Sequence, residues 1–397
     1  MKPFFRHLLL VTLVFATAQR VASAEVSSDH YESRLLGATT QFISGDWPGA
    51  LASLDTLLED YPASRVAHLL RSDLLWALAG RTVPLSGLGT ASPTSHVQSL
   101  TEQWRLRWQH AHPQGEVANQ RVPAKLLRVG ADRSAVLYVD LPAARLYVFG
   151  QGHDELQKLA DYYVSVGRRG YGKQREGDLK TPVGIYRIDG YIPGVQLDAR
   201  YGFGALTTDY PNALDQRLQR TGSGIWLHGT EPGWINRAPR ASEGCITLSN
   251  NDFAHLHRIL GTTKQVPIII DDSPEWVFVP TLKARRDSLI AAVHASTRDN
   301  AAATATTSNP ARALAWQQAS GEREFIEVFV YPGHKRQLLT RAIEFEDLGK
   351  ALAVEQYWRQ DENGQWRIML QQQLPLPSQR KIASESLAIW QKRSPGA

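Results

Sequence analysis

Apolar residues recur every three or four positions in the first part of the chain: Trp47, Ala50, Leu51, Leu54, Leu57 and Leu58, then Val66, Leu69, Leu70, Leu74 and Leu78. That spacing predicts amphipathic helices across about 31–80. Tyr61-Pro62 breaks the run, Ser64 is placed to cap the second helix, and Gly80 closes it, which makes an antiparallel helical hairpin. A Pro/Gly/Ser-rich stretch at 81–95 and a short helix around Trp104 follow. Near Leu127 the period changes to that of strands. Ala135–Asp140 and Arg145–Phe149 read as a hairpin, with further strands expected at Tyr162–Val166, Gly184–Ile188, Ile225–His228 and Val266–Ile270. With no helical pattern between successive strands, a mostly antiparallel sheet or sandwich is expected over a doubly wound one. One helix is expected inside it, at Asn251–Leu260.

Residues 291–313 are rich in Ala, Thr, Ser and Asn and read as a linker. Beyond them Glu324–Tyr331, Arg341–Glu346, Leu352–Tyr357 and Gln365–Gln371 read as strands, with Asn363-Gly364 as a hairpin turn. The expected division is a leader (1–24), a helical subdomain (25–124), a mainly β domain (125–275), a helix and linker (276–313), and a small terminal domain (314–397). The linker is long enough to let the terminal domain move independently.

Composition narrows the class. At 397 residues, 43% hydrophobic and 21% charged, with 11 tryptophans, the chain has the makings of two or three packed domains and not of a disordered one. The formal charge of +5 is spread thinly, with 10 basic against 10 acidic residues in 1–124, 18 against 17 in 125–275, and 16 against 12 beyond. No basic tract marks a nucleic-acid surface. Lys2 and Arg6 precede the apolar run Leu8–Ala18, and Ala22-Ser23-Ala24 supplies small residues for cleavage, so a secretory leader is expected and the mature protein is expected in the periplasm. No later apolar stretch reaches the roughly 18 residues of a membrane span.

The single cysteine rules out an internal disulfide and asks for its own explanation. His228-Gly229 ends an expected strand, and the cysteine follows 17 residues after that histidine, in Ser242-Glu243-Gly244-Cys245. A thiol of ordinary pKa ~8.5 needs help to act as a nucleophile near neutral pH, and an imidazole is the usual helper. A glycine before the nucleophile lets the backbone come close, so that N–H groups near Gly244 and Cys245 can face a developing oxyanion. No metal or cofactor site is indicated: His255 and His257 are two apart on a helix and do not share a face.

The His-Gly, interval, Ser-x-Gly-Cys arrangement resembles the catalytic motif of the YkuD-type L,D-transpeptidases. The resemblance extends to the segment from Lys173 to Tyr186, to Tyr201-Gly202 and to Asp209-Tyr210-Pro211-Asn212, and covers about 125–272. It departs where Glu243 stands for the usual His and Thr247 for the usual Arg. The Ser-acidic-Gly-Cys variant with its Leu-Ser-Asn run looks like a Gram-negative subgroup with a C-terminal extension. The helical hairpin resembles one tetratricopeptide-type repeat, and the terminal domain resembles part of a nuclear transport factor 2-like α+β fold. The resemblance implies that Cys245 attacks a peptidoglycan tetrapeptide stem, that His228 moves the proton, and that Ser242 and Gly244 support the turn and oxyanion. Arg240, Arg237, Gly229 and Tyr210 are the expected substrate contacts; the arginines also read as ordinary surface charges. The acceptor is left open between a second stem, an amine of a lipoprotein or other envelope protein, and water. A non-catalytic envelope scaffold is the reading from another class.

Overall fold

The computed structural model describes residues 30–81, 95–112, 121–130, 133, 135–151, 156–235, 237–262, 265–299, 323–333, 336–345 and 351–374. The expected leader and most of the expected linker lie outside them.

Helices α1 (His30–Ser44), α2 (Trp47–Asp60) and α3 (Arg65–Leu78) pack around Leu35, Leu54, Leu57, Leu70 and Leu74. Ser64 caps α3 as its sequence position predicts, its hydroxyl accepting the Ala67 N–H at 3.2 Å. Helix α4 (Ser95–Ala111) closes the layer with Leu100 and Trp104. Charge fixes this subdomain to its neighbour. Buried Arg145 donates to Glu32 of α1 at 2.7 Å and also to Asp161, while Arg107 of α4 lies 3.4 Å from Glu32 and 3.6 Å above the Tyr163 ring.

Strands β1 (Arg121–Pro123) and β2 (Leu126–Arg128) lead into the central domain. Its main sheet contains β3 (Val136–Asp140), β4 (Arg145–Gln151), β5 (Leu156–Tyr163), β7 (Gly184–Pro193), β8 (Gly204–Thr208), β9 (Trp226–His228), β11 (Ile246–Thr247) and β12 (Val266–Asp271), in the order β11-β9-β8-β7-β12-β3-β4-β5. β6 (Val166–Gly167) and β10 (Arg240–Ser242) form a small parallel pair. Short helix α5 (Ala213–Arg217) and helix α6 (Asn250–Leu260) pack on it, and β13 (Trp276–Phe278) pairs with β1. The sheet is mixed and not purely antiparallel. β12 runs parallel to β3, because the first and last strands of the sheet meet in mid-sheet, and β11 runs parallel to β9 at its edge.

β3 is buried along its whole length, and alternate residues enter two different cores. Leu137 and Val139 face a cluster with Phe253, Leu256 and Leu260 of α6. Val136 and Tyr138 face the opposite way, into a cluster that includes Phe325, Phe329, Tyr331 and Trp358 from the terminal part of the chain. There β14 (Arg323–Val330), β15 (Gln337–Phe345), β16 (Ala351–Gln360) and β17 (Trp366–Leu374) form an antiparallel sheet that β2 extends by a fifth strand. The terminal sheet therefore shares a core with the central one, where the linker suggests a separate terminal domain. Helix α7 (Val279–Asp299) also runs into the segment read as linker. Its alanines are good helix formers, and buried Val293 and Ser296 anchor it, the Ser296 hydroxyl accepting the Trp366 N–H at 3.0 Å.

Candidate active site

β9 and β11 bring the two expected reacting groups to one place. The parallel register sets Ile246 beside Leu227 and Thr247 beside His228, and Cys245 immediately precedes β11. His228 is 3% exposed, and Cys245 is partly buried. The Nδ1–H of His228 donates to the Gly229 carbonyl at 2.7 Å. A carbonyl can only accept, so this bond fixes the tautomer whose free lone pair is on Nε2.

The turn before the cysteine is held from both sides. Ser242 Oγ donates to the Cys245 carbonyl at 2.6 Å and accepts the Gly244 N–H at 3.1 Å. Thr181 Oγ1 donates to the Gly244 carbonyl at 3.0 Å and accepts the Gly167 N–H at 2.9 Å. Gly244 has φ +131°, and a Cβ there would lie 2.8 Å from the Lys180 carbonyl oxygen, so the position demands glycine. Its N–H is spent on Ser242, which makes Gly244 a turn residue.

Electrostatics make the resting pair neutral. Burial lowers the His228 pKa from 6.5 to about 4, and the positive charges of Arg237 and Arg200 act in the same direction. Burial raises the Cys245 thiol above 9.0, against a lowering by a backbone hydrogen bond, Arg237 and Lys173. The site thus holds a neutral thiol and a neutral imidazole on neighbouring elements, not a preformed ion pair. The thiol donates to the Gly224 carbonyl at 3.3 Å.

Of the expected substrate contacts, Arg237 is the one whose charge reaches both His228 and Cys245. Its guanidinium pairs with Glu231 at 3.0 Å and donates to the Arg200 carbonyl at 3.1 Å. Arg240 is exposed and lies 5.5 Å over the Tyr171 ring. Gly229 orients His228 through its carbonyl. Tyr210 is 4% exposed, packs on Tyr186, and donates to the Thr221 carbonyl at 3.0 Å, so it is a core residue and not a substrate contact. Glu243 is solvent-facing and pairs with Arg168 at 3.3 Å, whereas Thr247 is buried.

Two residues that the sequence analysis named only as part of the resemblance, without a role, meet at the site. Tyr201 stands edge-on to His228 with ring centroids 4.8 Å apart, and burial together with the Cys245 charge raises its hydroxyl pKa. Asn250 ties the segment after Tyr201 to the one after Gly229: Oδ1 accepts the N–H groups of Phe203 at 3.0 Å and Thr230 at 3.2 Å, and Nδ2 donates to the Thr230 carbonyl at 2.9 Å. A Cβ at Gly202 or at Gly229 would fall 2.0 or 2.1 Å from Asn250 Oδ1, so both glycines make room for this knot. The Gly202, Gly229 and Asn250 signals are visible in the sequence, but their meeting is not.

Among solved structures the chain is similar to Bd1075 from Bdellovibrio bacteriovorus, at 23% identity and TM-score 0.54, covering 65% of this chain and 100% of that one. It is also similar to the helical cell shape determining protein Pgp2 from Campylobacter jejuni, at 19% identity and TM-score 0.47, covering 70% of this chain and 100% of that one. A third likeness is to an L,D-transpeptidase from Xylanimonas cellulosilytica, at 16% identity and TM-score 0.24, covering 34% of this chain and 60% of that one. No curated protein matches the chain. Residues 134–270 match the family model of the L,D-transpeptidase catalytic domain, YkuD.

Proposed function

We propose that the protein is an exported, periplasmic L,D-transpeptidase acting on peptidoglycan tetrapeptide stems through a thioester on Cys245. One observation carries this reading beyond the family match: the Gly229 carbonyl fixes the neutral His228 with its Nε2 lone pair free, on the strand that neighbours the cysteine turn. In the first step His228 Nε2 takes the thiol proton, and Sγ bonds to the carbonyl carbon between the third stem residue and the terminal D-alanine. The carbon–nitrogen bond then breaks, and His228 returns the proton to the departing amine. The Cys245 N–H faces the transient oxyanion, and Ser242, Gly244 and Thr181 keep the turn in place. In the second step an acceptor amine bonds to the thioester carbon, the carbon–sulfur bond breaks, and the proton shed by the amine passes through His228 to Sγ.

The same acyl-enzyme gives a carboxypeptidase, or an amidase releasing attached lipoprotein, when water replaces the amine. The terminal sheet buttresses the catalytic sheet in this reading, since the two share a core. Incubation of the purified protein with tetrapeptide-containing muropeptides, alone and with an added amine acceptor, separates the outcomes by product mass. A cross-linked or amine-adduct product supports transpeptidation, a tripeptide product alone supports hydrolysis, and unchanged stems contradict both.

A further inference from the structure

The turn that carries the cysteine also carries an ion pair that the functional reading above does not use. Glu243 lies two residues before Cys245, and its carboxylate pairs with the Arg168 guanidinium at 3.3 Å. Only Gly244, which has no side chain, stands between Glu243 and the cysteine. The backbone under both charges is fixed: the Arg168 N–H donates to the Ser242 carbonyl at 2.8 Å, and the β6–β10 pairing sets Gly167 beside Ser242. The charged ends are open to water, the Arg168 and Glu243 side chains being 53% and 71% exposed. A pair so exposed holds itself together weakly, and a ligand of matching charges exchanges with it readily. Its field also reaches the cysteine, since burial raises the Cys245 thiol and the Glu243 charge adds to that rise.

A carboxylate and a guanidinium side by side complement an ammonium and a carboxylate borne on one carbon, the ammonium on Glu243 and the carboxylate on Arg168. Two residues of chain span about 7 Å at most, no more than a long side chain crosses. An amine paired with Glu243 stays protonated and does not attack a thioester, so the group held there belongs to the acyl donor and not to the attacking acceptor. We propose that Glu243 and Arg168 read the side chain of the third stem residue and select donors in which that side chain ends in an α-amino acid group. The inference rests on the thioester reading above and names the residues that choose its donor. The departure of Glu243 from the usual His then has a physical reason, because a carboxylate supplies the fixed negative charge that a bound ammonium needs.

The test uses the full chain and three tetrapeptide stems that differ only at the third residue: meso-diaminopimelate, the same residue with its distal carboxylate amidated, and 2-aminopimelate, which lacks the distal amine. Cys245 adduct mass and the kcat/KM for D-alanine release are the readouts. Diaminopimelate should be used roughly tenfold or more better than either analogue, a discrimination of the size a charge-assisted hydrogen bond gives. Arg168→Gln should bring the amidated stem to within about twofold of the diaminopimelate stem, and Glu243→Gln should do the same for the aminopimelate stem. A merely structural loss of the turn would slow all three donors alike and leave both ratios in place, and melting temperatures matching that of the native chain would show that the variants fold. Either ratio near one in a protein that forms the adduct, or either ratio surviving its variant, overturns this inference alone. Failure of the unaltered protein to form an adduct with any of the stems overturns the thioester reading and this inference together.

Discussion

Arg187 belongs to the catalytic sheet, yet its guanidinium is held by Glu355 of the terminal sheet at 2.6 Å. Both side chains are buried, and Glu327 joins them at 3.2 Å while itself pairing with Arg133 and Arg341. Such a network gives two packed sheets a single register. Removing one partner leaves buried charges uncompensated, so Arg187→Met should lower the unfolding free energy by about 3–5 kcal/mol. Denaturant titration measures this. A loss below about 1 kcal/mol would mean that the two sheets are not locked through this residue.

Ending the chain after Asp299 should yield insoluble or molten protein. The cut removes Phe325, Phe329, Tyr331 and Trp358 and exposes their partners Tyr138, Tyr147 and Ile185 to water. Near-ultraviolet circular dichroism and solubility read the outcome. A soluble, cooperatively folding product would show that the central sheet is self-sufficient.

That interdependence marks the boundary of what the sequence made legible. The helical hairpin with its Ser64 cap, most of the strands and the hairpin turn at Asn363-Gly364 follow from periodicity and local chemistry, whereas the pairing of His228 with Cys245 follows from the resemblance of their motif. The second core does not. β3 reads as a run of apolar residues whichever face is covered, and only the register of distant strands shows that Tyr138 and Leu137 serve different cores. Tyr210 illustrates the reverse error: its motif context suggested a contact with substrate, while its ring packs in the core on Tyr186. Asn250 lies 48 residues from Gly202 and 21 from Gly229, and no local pattern reports that the three meet.

The rate of acylation should follow the buried state of His228. Its pKa of about 4 keeps Nε2 unprotonated through the neutral range, and protonation on acidification below that value removes the base. The acid limb of kcat/KM is therefore expected near pH 4 and not near 6.5, and His228→Gln should cost roughly 10²–10⁴-fold in acylation. An acid limb near 6.5 in the unaltered protein, or a variant within a few-fold of it, would contradict the assignment.

Asn250→Ala should loosen the Tyr201 and Thr230 segments without touching either reacting group. Loss of three hydrogen bonds predicts roughly 10–100-fold lower kcat through misplacement of His228 and Tyr201, with the acid limb unchanged in position. Asn250→Asp, which keeps both accepted N–H bonds, should recover part of the rate. If the two variants lose activity equally, the knot does not act through those accepted bonds.

The measurement that bears most directly on the account is the intact mass of the protein, quenched within its first turnover of a peptidoglycan tetrapeptide. The account predicts an added acyl-tripeptide mass on the peptide containing Cys245, released by an amine acceptor. It further predicts that Cys245→Ala loses both adduct and turnover while its melting temperature stays near that of the native chain, since the partly buried thiol contributes little packing. Stem processing that continues in Cys245→Ala, or that proceeds in the native protein without any covalent adduct, would contradict it.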